Sequence, residues 1–297
     1  MPSTRDIRRR IKSVKNTAQI TKAMQLVAAA KMKKAQDQAT SGRAYADLLN
    51  EVLVSLKQSV QDTAHPFFSD GKGAHPLVLV ITSDKGLCGA LNTNLLKKVL
   101  TTFSGAADFV AVGRKGALTL SRLKKNLIAD FPVKDPAKFA EVRLVGKFLQ
   151  EQFLAGGFSQ VFVAFNNFVN TVTQVPSIEQ LLPINPVTLG KKKDYEGMGS
   201  ALEVKDASEG LAGQYTFEPD AGQVFDLVLP QYVNNTVYQM LLEGRASEHS
   251  SRMVAMKNAT DNAQQMIKDL TLEYNKVRQA AITNELLEIT TAKLAVE

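Results

Sequence analysis

The stretch STRDIRRRIKSVKNTAQITKAMQLVAAAKMKKAQDQA, residues 3–39, decides the fold. It contains neither proline nor glycine. Steps of four and three pick out Ile7, Ile11, Val14, Ala18, Thr21, Gln25, Ala28, Met32, Ala35 and Ala39. A recurrence averaging 3.5 residues keeps one face of a helix turned toward a partner, so this spacing predicts a heptad seam made mostly of small residues. Ser3 can cap the free N–H groups of the first turn, and Asp6 sits at the positive end of the helix dipole.

The far end of the chain carries a matching seam at Met253, Met256, Thr260, Ala263, Ile267, Leu270, Tyr274, Val277 and Ala281. Gly42 is the only helix breaker between Ser3 and Lys57, and Gly244 the only one between Gln231 and Glu297. The other 16 glycines, and 9 of the 10 prolines, fall between residues 58 and 230. Both seams would suit the core of a helical bundle. Their unbroken length favours a rod instead, an antiparallel two-stranded coiled coil with left-handed supercoil. The predicted division is therefore a coiled-coil helix over 1–58, a central domain over 59–230, and a second coiled-coil helix over 231–297.

The middle alternates short apolar runs with helical patterns, which predicts a Rossmann-like α/β domain with a mostly parallel sheet. Strands are expected at Leu77–Thr82, Phe109–Val112, Asn126–Ala129 and Val161–Phe165, and helices at Asn92–Phe103, Lys115–Lys124 and Ala137–Leu154. Two further strands are expected at Phe168–Gln174, as an edge hairpin with the fourth strand, and at Phe225–Leu229. Residues 190–213, with Lys191, Lys192, Lys193 and five glycines, read as a loop.

Composition excludes several classes. Cys88 is the only cysteine, so no intrachain disulfide forms and a reducing compartment fits. No run approaches the ~18 apolar residues of a membrane span, and no apolar leader follows the N-terminus. His65, His75 and His249 are too scattered to suggest a metal cluster, and no nucleophile or zinc-protease motif occurs. The loop Ser83-Asp84-Lys85-Gly86-Leu87-Cys88-Gly89-Ala90-Leu91-Asn92 stands where α/β folds bind phosphate, yet it matches neither glycine-rich nucleotide fingerprint. It reads better as a turn that packs a helix on the sheet. No catalytic residue, cofactor or metal is expected.

The net charge of +7 is concentrated in one place. Residues 1–57 carry 12 Lys and Arg against 4 acids, 58–230 carry 17 of each, and 231–297 carry 7 against 8. A field localised in this way draws an acidic partner to the first helix. Nucleic acid is one such partner, although no aromatic residue precedes Tyr45 to stack on bases. A basic coiled-coil nucleic-acid-binding protein and an α/β small-molecule domain with helical arms both remain open on these features alone.

Both ends and the middle resemble one family. Ile7-Arg8-Arg9-Arg10-Ile11-Lys12-Ser13-Val14-Lys15-Asn16-Thr17, Ile20-Thr21-Lys22-Ala23-Met24 and Val27-Ala28-Ala29-Ala30-Lys31-Met32 resemble the opening of the γ subunits of rotary F-type ATP synthases. Glu248 with Ser251-Arg252-Met253-Val254-Ala255-Met256-Lys257-Asn258-Ala259-Thr260-Asp261-Asn262-Ala263, then Tyr274 to Thr283, resembles the C-terminal signature of that family. Ser83 to Asn92 and Val175 to Pro183 resemble two of its central segments, so the likeness runs end to end in one order.

The resemblance implies a non-catalytic central-stalk rotor of bacterial type, at the cytoplasmic face of the inner membrane and peripheral to it. It would turn inside a ring of α and β subunits, with the ε subunit and the membrane c-ring as further partners and neither nucleic acid nor a small-molecule substrate. By that likeness Arg9, Lys15, Lys22 and Met24 would lie near an acidic segment of the β subunit, and Arg278, Gln279, Thr283 and Glu285 would meet a loop of β. Ile282, Leu286, Leu287 and Ile289 would turn in an apolar bearing, and Tyr215 and Glu218 would face the c-ring. The lone Cys88 departs from photosynthetic members, whose paired cysteines confer redox control.

Overall fold

The computed structural model describes residues 3–59, 65–184, 218 and 220–296, so the 190–213 loop and Tyr215 lie outside the described residues. The chain forms two compact units, one of Met1–Ala28 with Met253–Glu297 and one of Ala29–Arg252. Two long helices, α1 (Thr4–Ser59) and α5 (Ala221–Val296), contribute to both.

In the first unit the start of α1 is capped as its sequence requires. The Asp6 amide donates to Ser3 Oγ at 3.3 Å, and that hydroxyl donates to the Asp6 carboxylate at 2.7 Å. The Ser3 contact holds the Asp6 carboxyl below its ordinary pKa. Ile7 and Ala28 are buried along the seam, and Ile11, Val14, Ala18, Thr21 and Gln25 are half-buried. Met256, Thr260 and Ala263 are buried on α5, with Met253, Ile267, Leu270, Tyr274 and Val277 half-buried.

Two polar contacts fix how the helices pair. Arg8 Nη2 donates to Tyr274 Oη at 2.6 Å, and the hydroxyls of Thr21 and Thr260 are bonded at 2.7 Å. Advancing from 8 to 21 on α1 retreats from 274 to 260 on α5, so the helices are antiparallel in a nearly constant register. Because α1 begins at Thr4, that register exhausts it near Arg278. Every described side chain from Arg278 to Ala292 is accordingly exposed. The expected seam therefore ends at Val277: Ala281, predicted to continue it, is exposed because no turn of α1 lies opposite.

The second unit holds a five-stranded sheet in the order β3-β2-β1-β4-β5. Its strands are β1 (Leu77–Ile81), β2 (Asp108–Val112), β3 (Asn126–Phe131), β4 (Val161–Phe168) and β5 (Gln174–Leu182). All neighbours are parallel except the β4–β5 hairpin at one edge. Helices α2 (Leu91–Thr102), α3 (Arg114–Arg122) and α4 (Phe139–Leu154) fill the crossovers. One core cluster contains Val78, Val80, Phe109 and Ala164 of the sheet with Leu95, Leu96 and Val99 of α2 and Leu120 of α3. The larger cluster contains Leu77, Leu79, Val110 and Val163 with α4, with Ala35, Ala39, Leu53 and Leu56 of α1, and with Phe225 to Ala246 of α5. A sheet covered on both faces needs continuous apolar strands, and β1 is buried at every position.

Two expected strands are corrected. Phe168–Gln174 is not a strand: β4 ends at Phe168 and β5 begins at Gln174. Between them Asn170 accepts the amides of Val172 and Thr173 at 2.9 and 2.7 Å, an Asx turn that the alternation of apolar residues concealed. Phe225–Leu229 is the start of α5, not a strand. Phe225, Leu229, Val233 and Val237 are all buried four residues apart, a helical period that a five-residue run stopping short of Pro230 cannot reveal. Pro230 stands inside α5, and its carbonyl accepts from Gln150 Nε2 at 3.2 Å.

Candidate functional site

In a doubly wound sheet the ligand crevice lies beyond the carboxyl ends of the strands, where the strand order reverses. Here the reversal falls between β1 and β4. That crevice is filled by α5. Ser247 Oγ donates to the carbonyl of Asn166 at 2.8 Å, Ser250 Oγ to that of Thr171 at 2.7 Å, and Ser251 Oγ to that of Cys88 at 2.7 Å. Gly244 lets the helix approach closely, since a Cβ there would lie 3.3 Å from Ile81 at the end of β1.

The Ser83–Asn92 loop is built as a turn from within. The Asn92 side chain accepts the Ser83 amide at 3.2 Å and donates to Ser83 Oγ at 2.7 Å, while that hydroxyl donates to the Lys85 carbonyl at 2.7 Å. Gly89 has φ +58°, natural for glycine, whereas Leu87 adopts φ +64° with its side chain exposed. Cys88 is buried against Asn92 and Ser83. The loop offers its carbonyls, not its amides, to α5.

Two nearly buried arginines serve this junction, one on the loop carbonyls and one beyond β3. Arg252 donates to the carbonyls of Lys85 and Gly86 at 3.1 and 3.2 Å and to Glu248 Oε1 at 2.9 Å. Arg245 donates to Glu248 Oε2 at 3.0 Å and to the carbonyl of Val133 beyond β3 at 2.8 Å, with Asp84 Oδ2 at 3.5 Å. Glu248 is thus shared by two guanidiniums, which offsets the cost of burying its charge. His249, also buried, lies between Arg252 Nη1 at 3.4 Å and Asp135 Oδ2 at 3.3 Å. A guanidinium can only donate, so Nδ1 is the acceptor and the imidazole proton is assigned to Nε2, in a bent contact with Asp135. His249, and then Lys31 at 2.7 Å, hold the Asp135 carboxyl far below the ordinary carboxylate range against the opposing effect of partial burial.

A family model described as ATP synthase matches residues 3–296. An ATP synthase gamma chain of Opitutus terrae is 49% identical over 99% of both chains, and one of Akkermansia muciniphila is 48% identical over all of both. The chain belongs to the ATP synthase γ family. Among solved structures, the central stalk and c-ring of the Tetrahymena thermophila mitochondrial ATP synthase includes a chain similar at TM-score 0.57 and 27% identity, covering 81% of this chain and 99% of that one. A Euglena gracilis mitochondrial ATP synthase chain matches at TM-score 0.65 and 19% identity over 99% and 94%, a likeness of fold.

Two stretches that carry the γ-family resemblance, Ser83–Asn92 and the Glu248–Arg252 part of the C-terminal signature, are the two that meet at this junction. Arg245 was not singled out in the sequence, and His249 was weighed there only as a metal ligand. Their signal was present: Arg245, Glu248, His249 and Arg252 recur at three, four and seven residues and form a polar stripe on one face of a buried helix.

The other expected γ-family positions that are described lie exposed or half-buried. Arg9, Lys15 and Lys22 are exposed on α1, with Lys15 and Lys22 two turns apart on one face, and Met24 is half-buried. Lys22 Nζ donates to Gln25 Oε1 at 3.3 Å. Arg278, Gln279, Thr283 and Glu285 are exposed on the unpartnered end of α5, where Thr283 bonds back to the Gln279 carbonyl at 2.9 Å. Ile282, Leu286, Leu287 and Ile289 are exposed there too, the first, second and fourth sharing a face. Glu218 is exposed. Among the described residues no helix is long and apolar enough to cross a membrane.

Proposed function

We propose that this chain is the central-stalk rotor subunit of an F1Fo ATP synthase, carrying torque between a membrane c-ring and the ring of α and β subunits that holds the catalytic sites. One observation carries the reading beyond family membership: α5 runs past the start of α1 as a single helix with Ile282, Leu286, Leu287 and Ile289 exposed. A bare apolar helix end of this kind is suited to turning inside a greasy sleeve supplied by other subunits. The exposed lysines on α1 favour an acidic partner, which supports a role for Arg9, Lys15, Lys22 and Met24 opposite the β subunit. Arg278, Gln279, Thr283 and Glu285 are assigned to a β-subunit loop by the family likeness, and Tyr215 and Glu218 to the c-ring side.

The division into shaft, over 1–58 and 231–297, and foot, over 59–230, is part of this proposal. So are the ε subunit as a further partner and a place on the cytoplasmic face of the inner membrane. The physical basis is asymmetry: a rotor that touches three like subunits differently biases each toward a different state, and rotation permutes those states. The switch-point crevice is filled by Ser247, Ser250 and Ser251, which leaves the sheet to act as a scaffold.

Mixing the chain with α and β subunits tests the reading, the expected result being ATP hydrolysis that depends on its presence. Hydrolysis indifferent to the chain, or its retention on duplex DNA at physiological salt, would refute it. Changing Lys15 and Lys22 together to glutamate is expected to alter rate or coupling without unfolding the subunit. Wild-type kinetics in that variant would remove the electrostatic role of α1.

A further inference from the structure

Segment 245–252 of α5 grips the carboxyl ends of three strands of the sheet. Arg252 and Ser251 hold the loop leaving β1 through the carbonyls of Lys85, Gly86 and Cys88. Arg245 holds Val133, just past β3. Ser247 holds Asn166, near the end of β4, and Ser250 holds Thr171 in the turn that follows it. These are directed bonds to main chain, and the two arginine side chains are 5% and 11% exposed. Apolar packing alone resists separation but permits sliding, whereas bonds aimed at fixed carbonyls resist rotation as well.

The place of attachment suits a mechanical task. β1 lies inside the sheet, paired from Leu77 to Ile81 with Asp108–Val112 and from Leu77 to Val80 with Val161–Ala164. A force entering at the Ser83–Gly89 turn therefore spreads at once into two ladders of hydrogen bonds. Glu248 braces both guanidiniums, and His249 ties Arg252 to Asp135, itself held by Lys31 of α1. None of the expected partner-contact positions belongs to this cluster.

We propose that segment 245–252 is a torque-bearing joint, with Arg252 as its principal positioning residue and Arg245 as the second, making the sheet and α5 turn as one body when the rotor works against resistance. The inference rests on the rotor reading above and assigns its internal transmission to named side chains. It separates two situations. With the foot free, as in a soluble assembly with α and β subunits, little torque crosses the joint. With the foot driving a c-ring against an ion gradient, the joint is loaded.

The test compares Arg252→Met, Arg245→Met, Arg252→Lys and the milder Ser251→Ala in two preparations. In the soluble assembly with α and β, hydrolysis is expected to match wild type within error. In the complete complex in membrane vesicles, ions pumped per ATP hydrolysed are expected to fall severalfold for Arg252→Met. Arg252→Lys, which can still donate to the loop carbonyls, is expected to recover part of the loss, and Ser251→Ala to fall between it and wild type. An unchanged pumping ratio in both Arg252→Met and Arg245→Met would overturn the joint. So would a proportional loss of both activities with a lowered unfolding midpoint, because that pattern is ordinary structural damage. Failure of the unmutated chain to support hydrolysis would instead sink the rotor reading itself.

Discussion

The bonded pair Thr21 and Thr260 gives the sharpest test of how the first unit is held in register. The two hydroxyls have two protons between them and three contacts to share them among: each other at 2.7 Å, the Ala18 carbonyl at 3.1 Å from Thr21, and the Met256 carbonyl at 2.8 Å from Thr260. The short distances favour a relay in which Thr21 donates to Thr260 and Thr260 donates to Met256. Replacing Thr21 by valine removes one donor but leaves Thr260 bonded to Met256, so no buried group is orphaned and the cost is about 1 kcal/mol. Replacing Thr260 leaves Thr21 its longer bond to Ala18 and costs about the same. Replacing both exchanges two hydroxyls for two methyl groups in a seam and is nearly neutral, which makes the coupling energy about 2 kcal/mol in a double-mutant cycle. Hydrogen exchange of amides in α1 near Thr21 reads this locally in the full chain. Each single change is expected to speed exchange about fivefold, and the double change to restore it toward wild type. Wild-type exchange in either single variant, or additive acceleration in the double, would refute the relay.

Other outcomes follow from buried geometry. The depressed Asp135 carboxyl binds fewer protons in the folded state than in the unfolded chain. Its contribution is therefore complete above the ordinary carboxylate range, begins to fall within that range, and is lost only as pH drops through the folded-state value well below it. The gap in urea midpoint between wild type and Asp135→Asn should narrow from about pH 5 to about pH 3, and a constant gap would contradict the assignment. Gly146→Ala in α4 gains roughly 1 kcal/mol of helix propensity, but its methyl would strike the Asn234 side chain, which accepts from buried Gln150 at 2.9 Å. Displacing that acceptor costs about 1–3 kcal/mol with overpacking added, so a net loss is expected in the unfolding midpoint, and a gain would refute the contact. Arg245→Met leaves Glu248 its bond to Arg252 but orphans the Val133 carbonyl. A loss of about 3 kcal/mol is expected in urea unfolding, and less than 1 kcal/mol would refute the assignment.

Local periodicity made most of the architecture readable. The seam residues of α1 from Ile7 to Ala39 are all buried or half-buried, because a 3.5-residue repeat is written in neighbouring residues and needs no tertiary knowledge. The apolar runs of β1, β2 and β4 were legible for the same reason. Where a run was too short to hold a period, as in Phe225–Leu229, only the helix that follows could settle it.

The junction at 245–252 was harder to see. On a helix, charges three and four apart ordinarily mark a solvated face. They mark a buried clasp here because the carboxyl ends of β1 and β3 present carbonyls to them, and no local pattern records where a distant loop will stand. The expected surfaces on α1 and at the end of α5 came from family likeness, since exposure depends on what is absent as much as on what is present.

The sequence by itself determined the elements: two long helices with small-residue seams, a parallel α/β middle, and a basic charge confined to the first helix. Tertiary structure decided the rest. Arg8 on Tyr274 and Thr21 on Thr260 set the register, and that register, with α1 starting at Thr4, determines that the described side chains of α5 beyond Val277, Arg278 to Ala292, are exposed. Periodicity states that a face seeks a partner. Only the meeting of two helices decides where the partner runs out.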